Sequence, residues 1–548
     1  MLLSNVTLQG RTIELAYAEE HKGANVVTIV MGNNGSGKSR LFQTICSAFI
    51  QISRPDMMMY ELRDLVNLSD LGQLDSLSYM QNGDLNSLTR IKEPFVQRFF
   101  VGNDNSYADL VATYPYEQAT IHNVGNVDND LIDSITIHFL EQAKAHGQHL
   151  RFYKNGTHAS ELYIPNKVLA VTGSPYDKFP FRDTYSRQGS LAPYVYLGTR
   201  EKRQAGARFN RGYLSYKFDQ LGASFIKLLL KPKQEYLDFS KMFDFLNISP
   251  SFKLKLSLSE KIRKDEITQT NILEVVRSVK FFKDKDHEEI NEEHERVDLS
   301  QRLVDALFYV FGEKLDEHES HFNPLEVLCK IDLAKEPEDK KYLSSLDLLS
   351  EYDLIELTDV IFSKPKYDQD FLLSQASSGE LSVLFTMSSI AGEIENGSLI
   401  LIDEPELSLH PEWQLNFLSL LTDIFSNYKD CHFIIATHSP NIISSIPDNN
   451  AYIVNIDDST KLMPSKMYHN RSADFQLASV FNSPGNNNEY LLSQVIEVLD
   501  GLCKSNEVDD ELLERAKWLL TFENKLDEGD KVKILLLILK QTMGALHI

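Results

Sequence analysis

The sequence predicts an α/β fold: a parallel sheet carrying a glycine loop, interrupted by insertions, with a helical arm and a helical C-terminal domain. Three observations predict it. Gly32 to Ser39 reads GNNGSGKS, fits GxxxxGK[ST], and stands between a short apolar run and a helical pattern. Strand-like and helix-like stretches alternate again after Gln375, which is βαβ grammar. The stretches 226–370 and 471–548 are mainly helical in pattern.

Taken in order, Leu2 to Leu8 and Thr12 to Tyr17 read as strands, with Gln9-Gly10-Arg11 as the turn between them. Val26 to Met31 suits a buried strand, and Leu41 to Ile50 a helix, so 1–50 is the first part of the sheet domain. Residues 51–165 are rich in Asn, Asp and Ser turn signals and read as an insertion. Strands at Lys167 to Thr172 and Tyr194 to Leu197 return the chain to the sheet over 166–225. Residues 226–370 form a mainly helical insertion with charged faces such as Lys283 to Arg296. The sheet domain closes over 371–470, with strands at Leu399 to Ile402 and Phe433 to Ala436 flanking a helix from about Pro411 to Ser426. Residues 471–548 make the helical C-terminal domain.

A chain of 548 residues with 42% apolar content can bury large cores. Its net charge of -24 opposes general attraction to nucleic-acid phosphate, leaving room only for a local basic patch. Cys46, Cys329, Cys431 and Cys503 are scattered, which suggests neither a zinc site nor a disulfide framework. No apolar run reaches the length of about 18 residues that spans a bilayer, and the N-terminus lacks a signal layout, so a cytoplasmic protein is expected.

The glycine loop points to phosphate. Its residues are Gly32, Asn33, Asn34, Gly35, Ser36, Gly37, Lys38 and Ser39. Glycines let the backbone curl so that several N–H groups face one anion, and the helix N-terminus adds a favourable field. Lys38 is expected to reach the β- and γ-phosphates of ATP, and Ser39 to hold Mg²⁺. The run Leu399-Ile400-Leu401-Ile402-Asp403-Glu404 is an apolar strand ending in two acids, where parallel sheets bind ligands. Asp403 suits the Mg²⁺ partner and Glu404 the base that positions water. Either segment alone has an ordinary reading as a turn; together they do not.

Two further segments fix the class. Ala376-Ser377-Ser378-Gly379-Glu380 precedes that strand, and Ala436-Thr437-His438-Ser439-Pro440 follows it. Singly, the first is an N-cap and the second a loop. In this order the four segments resemble ABC-type ATPases. The signature-like loop departs from the usual pattern at Ala376, Ser378 and Glu380. The resemblance implies that Ser377 and the Gly379 N–H contact a γ-phosphate held by another copy, and that His438 is the switch histidine that senses the γ-phosphate. It also implies a head-to-tail dimer or a higher oligomer.

The run Asp403-Glu404-Pro405-Glu406-Leu407-Ser408-Leu409-His410-Pro411 looks like the soluble SMC-like and OLD-like branch. Ser174-Pro175-Tyr176-Asp177-Lys178-Phe179, Tyr194-Val195-Tyr196-Leu197-Gly198, Phe475 to Phe481 and Asn488 to Leu491 resemble the PtuA ATPases of Septu anti-phage systems and their retron-associated relatives. That resemblance implies an HNH nuclease partner, PtuB, and in retron versions a reverse transcriptase with its RNA–DNA product. An HNH-like cluster or a TOPRIM pattern is not seen, so the chain is expected to control a nuclease rather than be one. A DNA-repair ATPase of the SMC-like kind, or an ATP-locked scaffold with little turnover, are the alternatives.

Weaker features have bland readings beside them. Arg200, Lys202, Arg203, Arg208, Arg211 and Lys217, interleaved with Phe209, Tyr213 and Tyr216, suit a nucleic-acid contact, a solvated loop near ATP, or Arg groups that help hold ATP. Lys253, Lys255, Lys261, Arg263 and Lys264 read as a charged helix face. Gln188 is a weak candidate for a transporter-like glutamine loop, and Tyr17 reads as an ordinary strand aromatic rather than an adenine stacker. The apolar run Ile534 to Leu539 reads as a core helix.

Overall fold

The computed structural model describes residues 1–17, 23–33, 35–53, 73–92, 95–100, 107–112, 119–122, 136, 139, 148–181, 193–200, 213–259, 262, 267–278, 292–317, 325–365, 369–457, 459–504 and 509–546. The chain starts with β1 (Leu2–Leu8), β2 (Arg11–Glu14), β3 (Val26–Met31) and α1 (Lys38–Ser53). Then follow β4 (Leu74–Gln81), β5 (Asp84–Lys92), β6 (Phe95–Phe100), β7 (Tyr107–Ala112), β8 (Ala119–His122), β9 (Gln148–Lys154) and β10 (Thr157–Ala159). Next come β11 (Val168–Thr172), β12 (Tyr194–Leu197), α2 (Tyr213–Leu230), α3 (Ser240–Leu246), β13 (Ser251–Leu258), α4 (Gln269–Ser278), α5 (Glu292–Glu317) and β14 (Glu326–Asp332). They lead to α6 (Lys340–Glu351), β15 (Ile355–Lys364), β16 (Gln369–Leu372), α7 (Ser378–Glu393), β17 (Leu399–Asp403), α8 (Pro411–Ile424) and β18 (His432–Ala436). The chain continues with α9 (Pro440–Ser444), β19 (Ala451–Asn455) and β20 (Ser459–Pro464). It ends in α10 (Ala473–Ser479), α11 (Glu489–Lys504), α12 (Asp510–Leu520) and α13 (Lys531–Leu546).

The central sheet has seven strands in the order β12-β11-β17-β18-β3-β19-β20. All its pairings are parallel except the edge pair β19–β20. Its core strands are continuous apolar runs because both faces are covered. Alternate residues divide between two cores, as a period of two requires. Ile29, Leu169, Ile400, Ile402, Phe433 and Ile435 face the core shared with α2, α7 and α8. Val26, Val30, Val168, Leu401 and Ile434 face the core shared with α1 and a second sheet.

That second sheet is antiparallel, in the order β10-β9-β5-β4-β1-β2. Leu41, Phe42, Ile45 and Phe49 of α1 pack into the same core as Leu3, Val6, Leu77 and Leu88 of this sheet. His432 ties the two sheets together. Its Nδ1 accepts from the Leu3 N–H at 3.1 Å, so Nε2 carries the proton and faces Thr28 Oγ1 at 2.9 Å. The Thr28 hydroxyl in turn donates to the Leu15 carbonyl at 2.6 Å. A parallel sheet bearing the glycine loop and covered on one side by an antiparallel sheet is the arrangement of an ABC-type head; the fold is α/β, with insertions.

Two expectations need correction. Segment 51–165 is not simply an insertion: β4, β5, β9 and β10 complete the antiparallel sheet that β1 and β2 begin. Its polar turns hid strands that have only one buried face, such as Leu74, Leu77 and Tyr79 in β4. Segment 226–370 carries, besides helices, three strands of the four-stranded sheet β14-β13-β15-β16. Lys253 and Lys255 therefore stand on a strand, where Leu254 and Leu256 alternate with them into the core, and not on a helix face. Lys261, Arg263 and Lys264 lie outside the described residues, as does the charged run 283–291.

The segment from α11 to α13 has a core of its own, with Leu491, Val495, Val498, Leu519, Phe522, Leu536 and Leu539. The Ile534 to Leu539 run is only partly core: Leu536 and Leu539 are buried, whereas Ile534, Leu537 and Ile538 are exposed. Among the described residues, no helix is long and apolar enough to cross a membrane.

Candidate nucleotide site

β3, β17 and β18 run in parallel register, with Asp403 opposite Ala436 and Ala436 opposite Val30. Their carboxyl ends thus release Gly32, Glu404 and Thr437 at one edge of the sheet. This register gathers the expected residues, although they are some 400 positions apart in the chain. Gly37 takes φ +101 and leads directly into α1, a backbone that a side chain would strain. Asn34 lies outside the described residues.

Lys38 is buried and folds back into the loop. Its Nζ donates to Gly32 O at 2.7 Å and Asn33 O at 3.2 Å, and lies 3.5 Å from Ser36 Oγ. Burial lowers its pKa, against the opposing pull of Asp457, Asp403, Glu404 and Glu406. The Asn33 N–H donates to the Asp457 carboxylate, so the end of β19 also reaches the loop. Neither Asp457 nor Glu406 stands in a sequence motif for this role. Only the register of β19 beside β3 brings Asp457 there.

Asp403 is buried, and its Oδ1 has no hydrogen-bond partner among the described residues. Burial pushes its carboxyl up to about 6, although the Ser39 side chain hydrogen-bonds it. A buried carboxylate with an orphan oxygen beside a hydroxyl fits the hard, oxygen-loving cation expected here. It also makes a testable cost. In metal-free, nucleotide-free buffer near neutral pH, Asp403→Asn is expected to stabilise the chain by about 2–3 kcal/mol. The folded pKa lies above the unfolded value of 3.8, so folding is penalised when the group is ionised. The gain from Asn should therefore be complete above about pH 6 and fade as pH falls toward the unfolded value. Urea melts across pH check it; a gain that does not change with pH would contradict this account.

Glu404 adopts φ +51, a left-handed conformation that costs a non-glycine residue about 1–2 kcal/mol. Its N–H donates to Ala436 O at 2.9 Å, which pins the turn. His438 Nε2 stands 4.0 Å from Glu404 Oε1. Burial, and then Lys38, lower the His438 pKa, which favours the neutral ring. Glu406 holds the next loop: its Oε1 accepts the His438 N–H at 2.7 Å. Gln414 adds a second link, accepting from Ser439 Oγ at 2.7 Å and donating to Leu409 O at 3.0 Å.

Ser377 and Gly379 are placed differently. Ser377 caps α7 in a capping box, accepting from the Glu380 N–H while its own N–H donates to Glu380 Oε2 at 2.8 Å. Glu380 also pairs with Lys364 at 3.2 Å. The acid at this position thus has a local structural reason, and the capping reading describes what Ser377 does within one chain. Gly379 packs against the Trp413 ring and Ser408 O. Among the described residues, no hydrogen bond links either residue to the glycine loop. Tyr17 lies past the end of β2, half exposed, with its ring edge-on to Tyr452. Of the basic stretch, Arg200 and Lys217 are described, but Gln188, Lys202, Arg203, Arg208, Phe209 and Arg211 are not, and nor are the side chains of Tyr213 and Tyr216.

Residues 217–444 match the AAA_21 family model, "AAA domain, putative AbiEii toxin, Type IV TA system". That stretch is under half of the chain and does not include the glycine loop. Protein ea59 of Escherichia phage lambda is 37% identical over 111 residues, covering 19% of this chain and 21% of that protein. "Retron Ec83 probable ATPase" of Escherichia coli is 32% identical over 91 residues, 15% of this chain and 16% of that protein. "Retron Vc95 probable ATPase" of Vibrio cholerae is 28% identical over 159 residues, 26% and 30% respectively. The chain therefore spans less than a third of the length of each of these relatives. The SMC head domains of Pyrococcus furiosus and Thermotoga maritima overlay 84% of this chain, at TM-scores of 0.28 and 0.27 and 11% identity, covering 95% and 98% of those chains. Over part of its length the chain is thus similar to two retron proteins named as probable ATPases, and residues 217–444 match an AAA-domain family model.

Proposed function

We propose that the chain is the ATP-hydrolysing subunit of an anti-phage defence complex, and that it works through an ABC-type site completed by a second copy. The observation that carries this is the sheet edge where Lys38, Ser39, Asp403, Glu404 and His438 converge, while Ser377 and Gly379 have, among the described residues, no hydrogen bond to the glycine loop. A phosphate chain bound at that loop would have a cation from Lys38 and backbone donors from Gly35 to Ser39. Ser39 and Asp403 would hold Mg²⁺, which when bound neutralises phosphate charge. Glu404 positions the attacking water and takes its proton; neutral His438 donates a hydrogen bond to the terminal phosphate. The Ser377 hydroxyl and Gly379 N–H, on the opposing copy, complete the donor set.

The similarity to retron-associated ATPases supports the defence setting. On this reading the ATP cycle governs a separate HNH nuclease, with or without a reverse transcriptase and its RNA–DNA product. Mixing two inactive variants tests the composite site. Lys38→Ala and Ser377→Arg should each be nearly inactive alone. Combined, a mixed dimer keeps one intact loop facing one intact signature, and turnover should return to about a quarter of wild type by random pairing. No recovery on mixing, or full activity of Ser377→Arg alone, would reject the shared site. Co-expression with neighbouring genes and identification of what co-purifies tests the nuclease partner.

A further inference from the structure

The described residues that follow β11 and β12, 173–181 and 198–200, meet through a dense set of polar contacts. Thr172 ends β11 directly opposite Asp403, and Leu197 ends β12 opposite Val171. The Asp177 side chain has no exposed surface. Its Oδ1 accepts from Arg200 Nη2 at 2.8 Å and the Phe179 N–H at 3.0 Å, and its Oδ2 accepts from Tyr196 Oη at 2.7 Å. Arg200 also donates through Nη2 to Phe179 O and through Nε to Tyr196 Oη at 3.3 Å. Its guanidinium lies over the Phe181 ring at 4.9 Å and the Tyr196 ring at 5.0 Å.

Gly198 permits this geometry. Tyr196 folds back over it so closely that a Cβ there would fall 2.1 Å from Tyr196 Oη. Phe179, held by Asp177, stacks on Phe42 of α1 at 6.1 Å. The cluster thus links residues 177–181 and 196–200 to the helix that opens with Lys38. The Asp177 charge is also felt by Asp403.

We propose that Asp177 and Arg200 are positioning residues for ATP hydrolysis, holding the described residues that follow Thr172, 173–181, rigidly next to the strand end that carries Asp403. They act on the rate of the chemical step and not on affinity for ATP. The inference rests on the ATPase reading given above. An ion pair whose carboxylate is fully buried and whose guanidinium is partly buried is a poor device for stability alone, because desolvation offsets its attraction and an apolar brace would serve as well. A planar, forked guanidinium held on three acceptors and two rings instead fixes orientation, which a lysine cannot reproduce. Misplacing a reacting group by about 1 Å can cost about 100-fold in rate.

The test uses the full chain with Arg200→Lys, Asp177→Asn and the double variant. Steady-state turnover, binding of a non-hydrolysable ATP analogue, Mg²⁺ dependence and thermal melting are measured on each. The expected result is a fall in kcat of at least about 10-fold, with analogue affinity and KM moving less than about 3-fold. The Mg²⁺ concentration for half-maximal turnover should rise, and the double variant should lose far less than the product of the single losses. Unchanged kcat in both single variants would overturn the proposal, whether or not melting shifts. Loss of analogue affinity in step with kcat would assign the pair to binding and overturn it too. A wild-type chain that binds ATP without turning it over would instead refute the ATPase reading, and this inference with it.

Discussion

Glu404→Gln is expected to lower ATP turnover by about 1000-fold while ATP binding survives. Gln matches Glu in shape, so the left-handed turn and its hydrogen bond to Ala436 O should persist. An amide cannot accept the proton that the attacking water must lose, and the barrier rises accordingly. Lys38 and the glycine loop are untouched, so nucleotide still enters. Two copies closed on ATP should then stay closed, because the reaction that separates them is blocked. Rapid-quench turnover and size-exclusion chromatography with ATP read both effects. Turnover equal to wild type would remove Glu404 from the role of base.

Lys38→Ala is expected to weaken ATP binding by about 100-fold, the loss of one or two charge-assisted hydrogen bonds. The surroundings amplify it. Asp457, Asp403, Glu404 and Glu406 all exert their field at Lys38. Without the ammonium, those four acids would face the phosphates with one cation fewer to offset them. Calorimetric titration with ATP and Mg²⁺ checks the size of the effect. Unaltered affinity would refute the assignment of the glycine loop. The ligand-free chain should also feel the change, since Lys38 Nζ bridges Gly32 O and Asn33 O.

The candidate site is legible in the sequence where chemistry demands fixed residue types in a short window. Gly32 to Ser39 and Asp403-Glu404 each lie within a few residues, and flanking apolar runs placed them at strand ends. His438 was legible because its strand is also a continuous apolar run. Asp457 was not, since its approach to Asn33 follows from β19 lying beside β3, which no local pattern encodes. Asp177 stands in a family-like stretch and Arg200 in the basic stretch; their pairing depends on Tyr196 turning back over Gly198. The half-buried strands of 51–165 were missed for a related reason. Ser76, Ser78 and Asp84 look like turn residues until the partner strand is known. The alternating Lys253 to Leu258 stretch, in contrast, carried a strand period that its charge concealed.

The position of β3 has a consequence for how the protein is made. Val26–Met31 sits between β18 and β19, and Thr28 meets His432 across 404 positions of sequence. A ribosome adding about 5–20 residues per second needs roughly 20–80 s to bridge that gap. For all that time an apolar strand already synthesised waits without either neighbour. The head should therefore lean on chaperones during synthesis and fold slowly from denaturant, as sheets closed by distant partners do. Fragments cut before β17 should aggregate.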